Sequence, residues 1–159
     1  MSKPRIVALL PMKANSQRVK SKNFRDFCGK PLFRWILDTL LMVDEIDQII
    51  INTDARHILA DNGLVETGRI LIRDRKADIC GDHVSMNLVL ADDVAHVPAD
   101  LYLMTHTTNP LMSADTLRKA IAAFTQAQSN GAADSLFTVD KVQTRFYRAD
   151  CSPVNHDPD

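Results

Sequence analysis

No apolar run in this chain of 159 residues approaches the roughly 20 needed to cross a bilayer, so nothing in it reads as a membrane span. The opening Met1-Ser2-Lys3-Pro4-Arg5 leads into only a short apolar run, Ile6-Val7-Ala8-Leu9-Leu10, too brief for a signal peptide. Cysteine is scarce. Cys28, Cys80 and Cys151 are odd in number and far apart, so they form neither a disulfide framework nor a metal-ligand spacing, and they suit a reducing cytoplasm. The five histidines (57, 83, 96, 106 and 156) show no pairing four residues apart, which argues against a histidine-metal enzyme. Lys+Arg 19 against Asp+Glu 20 leaves a net charge of −1, so no global basic field points to nucleic acid. The Walker pattern Gly-x-x-x-x-Gly-Lys-Ser/Thr is missing, as are internal repeats and low-complexity linkers.

What the chain does have is 45% hydrophobic content, enough for one compact domain with a core. Apolar runs alternate with helical patterns. Strands are expected over residues 5–10, 48–52, 69–72, 100–104 and 135–139, several of them continuously apolar, as parallel strands covered on both faces are. Helices are expected over 32–42, 56–62, 84–96 and 114–128, the last capped by Ser113 or Asp115 and stopped at Asn130-Gly131. The alternation predicts a three-layer α/β domain with a mostly parallel sheet over residues 1–147. Residues 148–159, polar and holding Pro153 and Pro158, read as a tail, either a loop or a shortened end.

Charge is uneven along this frame. The first 35 residues hold nine Lys or Arg and a single acid, Asp26. Lys13, Arg18, Lys20, Lys22 and Lys30 cluster after the first strand, where α/β sheets bind ligands, and can neutralise a triphosphate. A solvated surface loop is the plain alternative, made less attractive by Asn15-Ser16 and Lys22-Asn23, which suit tight backbone wrapping. Thr53-Asp54 and His106-Thr107-Thr108-Asn109-Pro110 follow other strands at the same end of the sheet. Asp54 can contact a ligand or metal, but capping the next helix ranks ahead, and Asp82 can cap the helix after it. His106 can donate to a sugar hydroxyl or carboxylate, or serve as a hydrogen-bonded structural residue.

Pro11-Met12-Lys13-Ala14-Asn15-Ser16, Lys22-Asn23, Gly29-Lys30-Pro31-Leu32 and Trp35 together resemble the N-terminal signature of the acylneuraminate cytidylyltransferases. Three later segments follow in the family's order. Ile51-Asn52-Thr53-Asp54 is similar to its Ser-Thr-Asp strand end. The run from Arg75 to Ser85 resembles Arg-Pro-x-x-Leu-x-x-Asp-x-x-Ser. His106-Thr107-Thr108-Asn109-Pro110-Leu111-Met112 resembles Gln-Pro-Thr-Ser-Pro-Leu-Arg. The resemblance implies a nucleotide-diphospho-sugar transferase (Rossmann-like) fold, CTP and a 2-keto sugar acid as substrates, Mg²⁺ as cofactor, a cytoplasmic location and a homodimer. The balanced charge and the lack of a long apolar run, read above, leave no nucleic acid and no membrane as expected partners. Lys13 and Lys22 would then contact the triphosphate as catalytic groups, with Ser16 and Arg18 as further candidates. Asn23 would face the nucleotide, Arg75 and Ser85 would lie near the cytidine, and His106, Thr108 and Asn109 would meet the sugar. A bland reading of Arg75 as a surface arginine in Arg73-Asp74-Arg75-Lys76 stands beside this.

The chain departs from the family at Lys13 for arginine, His106 for glutamine, Thr107 for proline and Met112 for arginine, which leaves the sugar and the metal ligands open. The family runs well past this length, with later aspartates that hold Mg²⁺, so an alternative is a non-catalytic nucleotide-binding or dimerising remnant of the fold. A branch acting on sugar or polyol phosphates fits less well, because no glycine lies between Pro11 and Phe27.

Overall fold

A computed structural model describes residues 3–157. In chain order its elements are β1 (Ile6–Leu9), β2 (Asp26–Phe27), β3 (Lys30–Pro31), α1 (Leu32–Leu41), β4 (Gln48–Thr53), α2 (Arg56–Asp61), β5 (Ile70–Asp74), α3 (Met86–His96), β6 (Leu101–Met104) and α4 (Ala114–Ser129). Two compact units divide at Ala122 and Ala123.

The first unit holds a parallel four-stranded sheet in the order β5-β4-β1-β6. All four β1 residues are buried, which explains their unbroken apolar run: a strand covered on both faces has no polar side to alternate with. The chain steps from β1 to β4 to β5, then crosses back to β6 on the other side of β1. Right-handed crossovers therefore set α1 and α2 on one face and α3 on the other. On the α3 face, Val7, Leu9 and Ile50 form a core with Val97, just beyond α3, and Leu90 within it. Phe33, Ile36, Leu37 and Leu40 recur at helical spacing and are fully buried along α1; each contributes about 1.5–3 kcal/mol by burial. Arg69 closes the far end of α1 by donating to the carbonyls of Leu41 (2.9 Å), Val43 (2.9 Å) and Ile46 (3.0 Å).

Between the basic loop and α1, β2 and β3 form a two-residue hairpin. Its turn residues Cys28 and Gly29 take φ of 53° and 90°, the double positive φ of a type I′ turn, a conformation in which glycine carries no Cβ strain. The α4 N-terminus is capped as expected by Ser113, whose hydroxyl accepts from Thr116 N at 3.1 Å.

The second unit begins within α4. Gly131, at φ 66°, ends that helix, and Ala132 N returns to the Ala127 carbonyl at 2.9 Å, satisfying an end carbonyl. The strand expected over 135–139 does not form. Leu136, Phe137 and Val139 are 46%, 82% and 75% exposed, and among the described residues no strand pairs with the segment. An apolar run becomes a strand only where another backbone accepts its hydrogen bonds. Further on, Tyr147 and Pro153 form an isolated antiparallel bridge around a tight turn, and the Tyr147 and His156 rings meet at 4.8 Å.

Candidate functional site

The order of the sheet fixes where a ligand can enter. The strand order reverses between β1 and β6, so the loops leaving their carboxyl ends diverge and open a crevice. Pairing of β1 with β4 persists past the end of β1. Leu10 N donates to Ile50 O at 2.8 Å, and Met12 N to Asn52 O at 3.0 Å. The basic loop starts from that anchored point.

Two acids hold the loop, and neither acts as sequence suggested. Asp54 does not cap α2, whose N-cap position is Ala55 with no side-chain bond. Its carboxylate accepts instead from Ala14 N at 2.7 Å. Asp82 does not cap α3 either; Ser85 does, accepting from Asn87 N at 3.3 Å. Asp82 pairs with Lys13, and that hydrogen bond from the ammonium holds its carboxyl below the usual range. An aspartate just before a helix is a cap candidate by residue type, but a nearby unpaired loop N–H or ammonium competes for it.

Asn23 sits in a single 3₁₀ turn, Lys22–Phe24, entered through Ser21 at φ 51°. It is buried, and its amide is engaged at both ends. Nδ2 donates to the Lys13 carbonyl at 2.9 Å, and Oδ1 accepts from the Thr107 hydroxyl at 2.6 Å. This side chain ties the basic loop to the β6 exit loop. Thr107, buried beside it, was not marked as functional by sequence, although a hydroxyl where the resembled family has proline was the available signal.

Arg75 is not the free surface arginine of the bland reading. Its Nε donates to Asn52 Oδ1 (2.9 Å), and its Nη2 donates to the Asn52 carbonyl (2.9 Å) and the Met12 carbonyl (3.3 Å). The guanidinium thus straddles the ends of β1 and β4. Behind it, Asn52 Nδ2 donates to Asp93 Oδ1 at 2.8 Å, and Arg73 reaches the same oxygen. Asp93 is fully buried; burial pushes its carboxyl up, against the hydrogen bonds from Asn52 and Arg73. Its neighbour Asp92 moves the other way, held below the usual range by a hydrogen bond from Lys76 (2.6 Å) and by the Arg73 charge. Asp92 Oδ2 lies 3.0 Å from Arg73 Nη2 as an ion pair without a hydrogen bond.

The walls enclose a cleft of about 150 Å³. The basic loop supplies Lys13, Ser16, Lys22 and Asn23 to it, and the strand ends supply Arg75, His106 and Thr108. Three residues expected at the site do not line this cleft. Arg18 is exposed further along the loop, Ser85 serves as the α3 cap, and Asn109 closes a turn by donating its N–H to the His106 carbonyl at 3.1 Å. No acid lines the cleft. Lys22 makes no ion pair among the described residues, while Lys13 is held by Asp82. The arrangement is a crevice with fixed positive charge and neutral donors, able to receive an anionic, partly planar ligand. No cluster of three or more His, Cys, Asp or Glu capable of holding a metal exists among the described residues. Asp54 and Asp82, which hold the basic loop, are already bonded to Ala14 and Lys13.

The cytidylyltransferase family model matches residues 7–159. The chain is 30% identical over 122 residues to the CMP-N,N'-diacetyllegionaminic acid synthase of Legionella pneumophila, covering 74% of this chain and 52% of that protein. It is 24% identical over 128 residues to the pseudaminic acid cytidylyltransferase of Campylobacter jejuni, covering 77% and 54%. The chain spans about half the length of the curated relatives it matches. Among solved structures, a CMP:2-keto-3-deoxy-manno-octonic acid synthetase complexed with CTP superimposes with a TM-score of 0.63 at 20% identity, over 79% of this chain and 49% of that one. That likeness carries the fold.

Proposed function

The chain belongs to the cytidylyltransferase family, and on that footing we propose that it is a nucleotidyltransferase that activates a 2-keto sugar acid with CTP. The observation that carries the reading is the convergence of Lys13, Lys22 and Arg75 on one acid-free cleft at the point where the strand order reverses. In the reaction, the anomeric hydroxyl of the sugar acid attacks the α-phosphorus of CTP. The new C–O–P bond forms as the α–β phosphoanhydride breaks, the hydroxyl proton leaves to solvent or a basic group, and pyrophosphate departs. Displacement at phosphorus rests on positioning and on neutralising charge on the phosphate oxygens.

On this reading Lys22 and Lys13 bind the phosphates, Lys13 exchanging Asp82 for the anion, with Ser16 and Arg18 along the same loop. Arg75 faces the nucleoside end, assisted by Ser85 through the α3 N-terminus. Asn23 acts from beneath, holding the loop's shape. His106, Thr108 and Asn109 lie toward the sugar acid. The names of the relatives make a nine-carbon nonulosonic acid the first class to try, with 2-keto-3-deoxy-octonic acids next. Mg²⁺ does not find a ready carboxylate site among the described residues. The scattered free cysteines support a cytoplasmic setting, and the family resemblance supports a homodimer. No helix of the described residues is long and apolar enough to cross a membrane.

The test is a thermal-shift screen of CTP, UTP, GTP and ATP with and without Mg²⁺, since a ligand of the native state raises its melting temperature. Selective stabilisation by CTP, followed by pyrophosphate release with a nonulosonic acid, is the expected result; equal response to all four nucleotides counts against it. A second reading is a nucleotide-binding protein of the same fold without turnover. That reading predicts the CTP shift without pyrophosphate.

A further inference from the structure

Beneath the cleft, four side chains form a hydrogen-bonded line leading to the site: Arg73, Asp93, Asn52 and Arg75. Asp93 Oδ1 accepts from both Arg73 Nη1 and Asn52 Nδ2, whereas Asp93 Oδ2, also buried, has no hydrogen-bond partner among the described residues. An amide has a donor end and an acceptor end, so fixing one fixes the other. An acceptor at Asp93 forces Asn52 to turn its NH₂ inward and its Oδ1 outward, and that oxygen is what Arg75 Nε requires. Nε and Nη2 of Arg75 are thereby committed to the protein, and Nη1 is the guanidinium nitrogen with no hydrogen bond among the described residues.

We propose that Asp93, which does not line the cleft, is a positioning residue for the nucleotide site: by setting the direction of the Asn52 amide it fixes Arg75 so that Nη1 remains available to the ligand. The proposal rests on the reading of the cleft as a nucleotide site, and it assigns a role to an acid on α3 that the sequence motifs passed over. It also gives a reason for a carboxylate at a position with no solvent exposure, where an apolar side chain would avoid the desolvation cost. A merely structural acid would need no such link to Arg75.

The geometry makes an unusual forecast about chemistry at this position. Because one oxygen takes both bonds and the other takes none, Asp93→Asn can keep its oxygen in the working place and put its NH₂ in the idle one. Asp93→Leu removes the acceptor altogether. CTP affinity measured calorimetrically on the full chain should therefore fall about tenfold in Asp93→Leu, the size of one charge-assisted hydrogen bond. It should stay within about twofold in Asp93→Asn, again by the hydrogen-bond scale. In an Arg75→Ala background, Asp93→Leu should cause no further loss, because the residue it orients is gone. If Asp93→Leu binds CTP as well as the wild type, or loses the same factor without Arg75, the proposal is overturned. Should Asp93→Leu not fold, Asn52→Leu breaks the same line and is judged by the same cycle.

A wild-type chain that binds no CTP defeats the nucleotide reading separately. The relay is then decided without ligand, from hydrogen exchange of the Arg75 Nε–H by NMR, with the signal assigned by its loss in Arg75→Lys. Protection in the wild type that disappears in Asp93→Leu supports the orienting role of Asp93. Equal exchange in both refutes it.

Discussion

The cations of the loop after β1 and the two arginines at the end of β5 carry the same charge but live differently. Arg73 and Arg75 each meet several partners and hold strand ends and a helix together. Lys22, Arg18 and Lys20 have no ion pairs among the described residues, and Lys13 has one, with Asp82 at the surface. A cation that is fully bonded within the protein stabilises the fold; one left facing solvent beside a crevice is available to an anion. On the reading proposed above, the difference would divide the residues just compared into scaffold and ligand groups more sharply than their spacing in sequence does.

The strongest way to break that division is Arg73→Ala. Removing it leaves the buried carboxylate of Asp93 without its charged partner, so unfolding stability should drop by about 3–5 kcal/mol in urea titration. A loss under 1 kcal/mol would move Arg73 to the other class. Thr107→Val comes next. It deletes the hydroxyl that fixes the Asn23 amide and should cost about 1–3 kcal/mol, the price of an unsatisfied buried acceptor. Lys22→Ala should leave stability within about 0.5 kcal/mol, because this half-buried side chain makes no ion pair among the described residues. It should nonetheless abolish most of the CTP-induced rise in melting temperature, and an unchanged rise would place the phosphates elsewhere.

The smallest effect sharpens the contrast between Asp92 and Asp93. Asp92 is held below its ordinary range, so it adds stability above the unfolded value that is lost as the pH falls through the folded one. Asp93 is raised by burial, so its contribution has the opposite sign and weakens as pH rises. Asp92→Asn removes the acid-sensitive member. Stability measured between about pH 5 and about pH 3 should then fall less steeply than in the wild type. An equally steep acid limb would assign that sensitivity to other carboxylates.

Most of the sheet was legible because β1, β4 and β5 announce themselves as apolar runs, and α1 by its 3.6-residue spacing. The convergence of the basic loop with the β6 exit was also legible, since both follow strands at one end of the sheet. What stayed hidden were partnerships across long stretches of chain. Asp54 and Asp82 read as helix caps because local rules see only the next helix, not a loop N–H or ammonium 40 and 69 residues away. The Asn52–Asp93 bond has no local signature either: it depends on α3 crossing behind β4. Residues 135–139 have the composition of a strand, but composition does not supply an edge to pair with.

The bond from Met12 N to Asn52 O gives the basic loop a root and a tip. The next two residues are still held, Lys13 by Asn23 and Asp82 and Ala14 by Asp54. Amides up to Met12 share the opening energy of the sheet, whereas the exposed stretch from Gln17 to Lys20 can rearrange without disturbing any strand. On the reading proposed above, such a hinge would let an incoming anion draw the loop tip around itself while the walls of the crevice stand still, so that recognition would cost local ordering and no movement of the layers behind it.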